Sequence, residues 1–204
     1  MTHPDDLRRH ALIHYAVGTF RATDWVETGC HVGGMLAYYA GIVERAWGCD
    51  LDADAIEQAR RSAPTNATLR VCDAVQFLAS VLADPALERP FFYLDANWRE
   101  EWTGWREIGL ILRSERRCII LINAVAISDH PNFVGRLPTP GDRVESKDFA
   151  EFGRREAGEF GRKRIGRILS PKYSTPGPVA GYVLIDASGA DLRFRVDEFE
   201  DLMP

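Results

Sequence analysis

Short apolar runs alternate with amphipathic helical patterns along most of this chain, and this alternation limits the possible folds more than any other feature. The apolar runs predict strands over 24–29, 46–51, 68–72, 91–95 and 117–122. Helices are predicted over 6–19, 32–44, 74–82 and 100–113, and a further helix begins at Asp52 or Asp54 and ends before Pro64. Strands that alternate with helices in this way form a doubly wound sheet with right-handed crossovers.

The end of the chain departs from this alternation, because 181–186 and 192–196 predict two strands around a Ser188-Gly189 turn. We therefore predict an α/β fold, a Rossmann-like doubly wound, mostly parallel sheet with a C-terminal antiparallel β-hairpin. The 204 residues suit a single domain. Its expected parts are an N-terminal helix in 1–22, a cofactor-binding core in 23–127, a substrate loop or cap region in 128–178, and the closing hairpin and tail in 179–204.

Composition and charge bear on the partners and the cellular compartment of the protein. The net charge of -5 and the pI near 5.6 predict neither a nucleic-acid partner nor a membrane surface. No apolar run approaches the ~20 residues that span a bilayer, and the first residues are too polar for a secretory signal, so we expect a cytoplasmic protein. The four cysteines lack metal-ligand spacing. We expect them to be reduced, as cysteines are in a reducing compartment.

Glycines crowd the turn after the first predicted strand, where the sequence from position 26 is VETGCHVGG. Gly29 and Gly33 would let a ligand approach the backbone closely, and the next helix offers free N–H groups at its start. Glu27 stands where the GxGxxG of dinucleotide-binding proteins has its first glycine, and no Lys-Ser/Thr pair follows as in a P-loop. A carboxylate at this position would repel a pyrophosphate and suits a ligand with a cationic amino group.

Carboxylates also end the second and third predicted strands. Asp50 follows the glycine turn by about 20 residues, the separation at which a carboxylate can accept hydrogen bonds from both ribose hydroxyls. Asp52 is a rival for this role, although helix capping suits it better. Asp73 could accept from the exocyclic amine of an adenine. Because ligands of such sheets lie at the carboxyl ends of the strands, these residues predict one nucleoside site.

Together these motifs resemble class I S-adenosylmethionine (SAM)-dependent methyltransferases. The likeness rests on ExGxxxG after strand one, GCD after strand two, CDA after strand three and FFYLDANW at strand four, and it covers residues 20–127. FYLDANW is similar to the FYLDAHW segment of FkbM-type and related small-molecule O-methyltransferases. The resemblance implies that SAM is the cofactor. The cofactor residues it implies are Glu27, Gly29, Cys30, His31, Gly33, Asp50, Leu51, Asp73, Ala74 and Asp95.

The methyl acceptor is expected in the other half of the crevice, beyond strands four and five. Asn97, Trp98 and Asn123 would line this half, which suits a small polar acceptor methylated at a hydroxyl oxygen. Removing the hydroxyl proton calls for a general base, and the loop at 128–147 could close over the acceptor. The candidate catalytic residues are Asp95, Asp129 and His130. His130 has the simpler alternative of being a solvent-exposed loop residue.

Three positions depart from the metal-dependent sugar O-methyltransferases of this group. Asn123 and Ala124 stand where paired aspartates are typical, and Asn97 stands where many relatives have histidine. Magnesium prefers carboxylate ligands, so we expect no catalytic metal. The same departures leave open a catalytically silent SAM-binding protein. An NAD(P)-dependent oxidoreductase is a further alternative, disfavoured by Glu27 and the closing hairpin, and the oligomeric state is left open, a homodimer included.

Overall fold

A computed structural model of the chain describes residues 4–96, 103–125, 149, 167–171, 181–190, 192 and 199–201. The helices are α1 (Pro4–Phe20), α2 (Gly34–Ala40), α3 (Ala53–Ser62), α4 (Ala74–Leu82) and α5 (Gly104–Arg113). The strands are β1 (Asp24–Thr28), β2 (Arg45–Asp50), β3 (Ala67–Val71), β4 (Pro90–Leu94), β5 (Cys118–Val125), β6 (Arg167–Pro171), β7 (Gly181–Ala187) and β8 (Phe199–Asp201). None of these described helices is both long enough and apolar enough to cross a lipid bilayer.

The eight described strands form one sheet in the order β3-β2-β1-β4-β5-β7-β6-β8. Strands β1 to β5 run parallel, and β7 is antiparallel to both β5 and β6. The sheet grows from β1 in two directions, first through β2 and β3 and then through β4 and β5. The boundary between β1 and β4 is therefore the switch point at which sheets of this kind bind ligands. The predicted fold class is confirmed.

Side chains of the central strands pack alternately against helices on the two faces of the sheet. In β5, Ile119 and Leu121 join the core shared with α1, α2 and α3, whereas Ile120 and Ile122 join the core shared with α4 and α5. All four side chains are buried. Burial on both faces explains why this strand is continuously apolar rather than alternating. The packing of the two cores holds the parallel strands with their carboxyl ends along one edge of the sheet.

The helices begin and end where backbone geometry requires, and two of them are shorter than predicted. Helix α4 spans the predicted 74–82, but α2 starts at Gly34, because Gly33 has a φ of 76° that a right-handed helix does not contain. It ends early because the chain turns to join the sheet, where the N–H of Glu44 donates to the carbonyl of Thr23 at 3.0 Å. Helix α5 starts at Gly104 rather than at residue 100.

The antiparallel strands that close the sheet differ from the predicted hairpin. Strand β7 confirms the predicted 181–186. Of the predicted partner strand, 192–196, Leu192 lies outside any strand, and 193–196 lie outside the described residues. Ile185 of β7 lies between Ile120 of β5 and Ile168 of β6. The partner of β7 is therefore β6, which falls in the region predicted to be a substrate loop or cap.

Candidate cofactor site

The turn between β1 and α2 packs its backbone directly against the chain that follows β4. Gly29 has a φ of 69°, and a Cβ atom there would lie 2.6 Å from the carbonyl oxygen of Asp95. The N–H of Asp95 in turn donates to the carbonyl of Thr28 at 3.0 Å. Gly33 has a φ of 76°, and its Cβ would lie 2.9 Å from the Cβ of Ala59 in α3. Both positions therefore require glycine, for conformation and for space.

Asp50, at the end of β2, holds this turn in place. Its Oδ2 accepts from the N–H of His31 at 2.8 Å and its Oδ1 accepts from the N–H of Asp52 at 3.0 Å. His31 has a φ of 48°, which residues other than glycine seldom adopt, so the hydrogen bond to Asp50 stabilises an unfavourable backbone conformation. Asp52 instead caps α3, because its Oδ1 accepts from the N–H groups of Asp54 and Ala55. The prediction that Asp52 is a helix cap is confirmed.

A pocket of about 380 Å³ opens beside the turn, along the ends of β1, β2 and β3. A cavity of this size suits a small organic molecule. Its polar lining comes from His31, Asp50, Asp52, Asp73 and Thr103. The other lining residues are Gly29, Cys49, Leu51, Cys72, Ala74 and Ala96. Of the predicted cofactor residues, the pocket thus brings together Gly29, His31, Asp50, Leu51, Asp73 and Ala74.

Asp73 has a structural role in addition to its place in the pocket. Its Oδ1 accepts from the N–H of Val75 at 2.9 Å and from the N–H of Gln76 at 3.1 Å, so it caps α4. Both bonds end on the same oxygen. One carboxylate oxygen is therefore enough to cap the helix, and the side chain can still meet a ligand with the other.

Glu27 lies beneath the turn and does not line the pocket. It is 3% exposed, and its Oε2 accepts from the Nε1 of Trp25 at 2.8 Å. Burial raises the pKa of Glu27 to about 8, and the nearby Asp95 adds to this rise. The bond from Trp25 and the charge of Arg9 act in the opposite direction. A cationic ligand group close to Glu27 would favour its ionised form.

A chain of polar contacts joins α1 to the ends of β5 and β4. The Nη1 of Arg9 donates to the Oδ1 of Asn123 at 2.8 Å, and the Asn123 side chain hydrogen-bonds to Asp95. Burial raises the pKa of Asp95 to about 6, while the bond from Asn123 and the charge of Arg9 limit the rise. Such a carboxylate is ionised at neutral pH and more basic than an exposed aspartate, which suits proton removal. The structure thus brings Asp95 and Asn123 together.

The remaining predicted residues fall into two groups. Cys30 is buried beside the turn, and burial raises the pKa of its thiol far above the ordinary value, so it packs as an apolar side chain. Asn97, Trp98, Asp129 and His130 lie outside the described residues, and their acceptor and base roles stay predictions. Among the residues that the structure describes, no three His, Cys, Asp or Glu side chains cluster as metal ligands. The expected lack of a catalytic metal stays a prediction too.

No sequence pattern indicated the buried carboxylate of Glu107 in α5, which is 1% exposed. Its Oε2 accepts from the Oγ1 of Thr28 at 2.8 Å, and its Oε1 accepts from the Oγ1 of Thr103 at 2.5 Å. Burial raises the pKa of Glu107, and these two hydrogen bonds oppose the rise. In the sequence, Glu107 has the same appearance as a solvent-facing helix residue. Only the approach of β1 to the start of α5 reveals its position.

Solved structures of methyltransferases have folds similar to this one. The methyltransferase domain of bacterial CtHen1 matches with a TM-score of 0.61 at 12% identity, over 89% of this chain and 98% of that one. An rRNA methylase from Streptococcus thermophilus gives a TM-score of 0.55 at 13% identity, over 92% and 98%. Magnesium protoporphyrin IX methyltransferase from Synechocystis PCC 6803, solved with bound S-adenosylhomocysteine (SAH), gives 0.56 at 13%, over 88% and 81%.

At these identities the likeness establishes the fold. The named acceptors of these enzymes differ, an rRNA for one and a magnesium porphyrin for another. No family model and no curated protein sequence matches the chain.

Proposed function

We propose that this protein is a SAM-dependent methyltransferase that methylates a small polar acceptor at a hydroxyl oxygen. The observation that carries the proposal is the pocket at the switch point of a methyltransferase-type sheet, with Asp50 and Asp73 at the ends of neighbouring strands. Its acidic lining suits SAM, which bears an ammonium and a sulfonium and no phosphate. The same lining disfavours NAD(P), whose pyrophosphate the carboxylates would repel.

The residues fit SAM in the order of the strands. Asp50 would accept from the ribose hydroxyls and Asp73 from the adenine amine. Gly29 would leave room for the methionine part, and the charge of Glu27 beneath the turn would attract the ammonium. When bound, SAM supplies a methyl carbon that is already activated. The chain would contribute mainly by holding the acceptor in line with that carbon.

Asp95 is our candidate for taking the acceptor's proton. It stands where β4 ends, beside the glycine turn, and Asn123 and Arg9 form a hydrogen-bonded chain that leads to it. The predicted acceptor residues Asn97 and Trp98 follow it in sequence. Asp129 and His130 are the other candidate bases. We expect the reaction to take place in the cytoplasm, in keeping with the free cysteines.

Calorimetric titration tests cofactor binding directly. The wild-type protein should bind SAH and should not bind NAD⁺. Gly29→Ala should weaken SAH binding about tenfold or more, because the new Cβ collides with the Asp95 carbonyl and the backbone conformation becomes strained. Gly34→Ala is the matched control, because a Cβ at Gly34 meets nothing within 4 Å. A wild-type protein that binds NAD⁺, or that fails to bind SAH, would refute the proposal.

A catalytically silent SAM-binding protein is the second candidate. Asn123, at a position where metal-dependent relatives typically carry a carboxylate, is already engaged by the guanidinium of Arg9. A screen of hydroxylated small molecules with methyl-labelled SAM separates the two candidates. Label transferred to any of them supports the enzyme. SAH binding without transfer across the screen supports the silent protein.

A further inference from the structure

We propose that Thr103, held by the buried Glu107, makes the base end of the pocket selective for an exocyclic amine. This inference rests on the proposed function, because it concerns the nucleoside that the same pocket would bind. It adds two residues, from the start and the first turn of α5, to the predicted contact with Asp73.

The direction of one hydrogen bond carries the argument. The Thr103 hydroxyl has a single proton, which it donates to Oε1 of Glu107 at 2.5 Å. The other carboxylate oxygen of Glu107 is engaged by the hydroxyl of Thr28. Although Thr103 occupies the N-cap position of α5, its side chain does not cap the helix. Its oxygen therefore has only acceptor lone pairs left to offer to the pocket that it lines.

The surroundings keep this arrangement in place. Glu107 and Thr28 are both buried, so water does not compete for their hydrogen bonds. Asp73 lines the same pocket and contributes a second acceptor, the carboxylate oxygen that the helix cap leaves open. An adenine amine has two N–H donors and could satisfy both acceptors. A base with a carbonyl oxygen in place of the amine would place a hydrogen-bond acceptor opposite these two acceptors, and no hydrogen bond could form.

Comparing the affinities of the protein for SAH and for S-inosyl-L-homocysteine measures this selectivity. S-inosyl-L-homocysteine differs from SAH in having an oxygen where adenine has its amine. By calorimetry, the wild-type protein should prefer SAH by about tenfold or more, because mismatched buried polar groups weaken binding strongly. Thr103→Val should reduce this preference several-fold, and Thr103→Ser should preserve it. Glu107→Gln should also reduce it, because the amide can donate to Thr103 and release the threonine proton toward the pocket.

Asp50→Ala provides the control, since loss of a ribose contact should weaken both ligands and leave their ratio unchanged. A preference that survives in Thr103→Val, or that is lost equally in Thr103→Ser, would overturn this inference while SAH binding itself still supported the proposed function. If the wild-type protein binds neither ligand, the proposed function fails and the inference fails with it. Glu107→Gln and Thr103→Ser keep the test decisive if Thr103→Val does not fold.

Discussion

Asp50 and Asp52 are two residues apart, but they stabilise different parts of the molecule. Asp50 bonds the N–H of His31 in the glycine turn, whereas Asp52 bonds the first turn of α3. Both line the pocket, so pocket lining alone cannot separate their roles. Their hydrogen bonds do, and mutation should separate them in the same way.

Asp50→Ala should weaken SAH binding about tenfold or more, because it removes charge-assisted bonds to the ribose and frees the turn. Asp52→Ala should instead lower stability by ~1 kcal/mol through loss of the cap and change affinity far less. Calorimetry and thermal melting of both variants give the two rankings. A larger loss of affinity in Asp52→Ala would show that the ribose carboxylate is wrongly assigned.

Ionisation of Glu27 should make cofactor binding depend on pH. Its pKa of about 8 lies above the ordinary 4.5, so the free protein holds a proton on Glu27 at neutral pH. This proton stabilises the free fold fully below pH 4.5, and the contribution is lost as pH rises through about 8. An approaching ammonium group should expel the proton, so SAH affinity should rise from pH 6.5 to 8, a window set by the same pKa.

Calorimetry at pH 7.5 in buffers of different ionisation enthalpy measures the proton released on binding. Asp95, with a pKa of about 6, is largely ionised there and contributes little. Glu27→Gln is the control, because it removes the titrating group and keeps a similar shape. Equal proton release from the variant and the wild type would exclude Glu27 as the source.

The sequence predicted the residues that follow each parallel strand, because position after a strand is a local property. Gly29, Asp50 and Asp73, which line the pocket, were predicted in this way. Thr103 and Glu107 were not, because their meeting with Thr28 depends on how α5 packs against the sheet. A side chain whose role is set by residues distant in sequence leaves no local pattern.

Helix α1 places a cation at the proposed reaction centre as well as covering one face of the sheet. Arg9 reaches Asn123 across 114 positions of sequence and acts on the charges of Glu27 and Asp95. A positive charge favours the ionised form of a carboxyl group. Helix α1 therefore lowers the pKa values of two carboxyl groups, Glu27 and Asp95, that belong to other parts of the chain.

Arg9→Gln should raise the pKa of Asp95 above its value of about 6, because the charge that favours the carboxylate is lost. Nuclear magnetic resonance of carboxyl-labelled aspartate, with Asp95→Asn for assignment, follows this titration. Arg9→Lys retains the charge and should shift the pKa less. A fall in the pKa of Asp95 in Arg9→Gln would contradict the proposed coupling.

Among the elements, long periodic helices and central strands were predicted well, as α4 and β5 show. The short strands β6 and β8 were not predicted, because they are defined by the neighbours with which they pair. Residues 192–196 were predicted to pair with 181–186 because the two segments are close in sequence, whereas the sheet pairs β7 with β5 and β6. Local turn signals cannot rank a nearby partner against a distant one.

At the scale of the whole molecule, the packing of α1 on the sheet brings the guanidinium of Arg9 near two carboxylates, Glu27 and Asp95. That cation occupies the Oδ1 of Asn123, which a metal ion would otherwise use. SAH affinity should therefore be unchanged after dialysis against EDTA, and so should turnover once an acceptor is known. Calorimetry with and without added Mg²⁺ checks the first statement. Loss of turnover in EDTA that Mg²⁺ restores would contradict this expectation.

The position of β7 between β5 and β6 has a consequence for biosynthesis. Both neighbours leave the ribosome before β7 does, so β5 has an open edge until residues 181–187 have emerged. That edge belongs to Cys118–Val125, whose run of isoleucine and leucine side chains is the kind of segment that pairs with strands of other chains. Translational pausing before residue 181 would prolong this exposure. A nascent chain of this protein should therefore be most prone to pairing with other chains before β7 is complete.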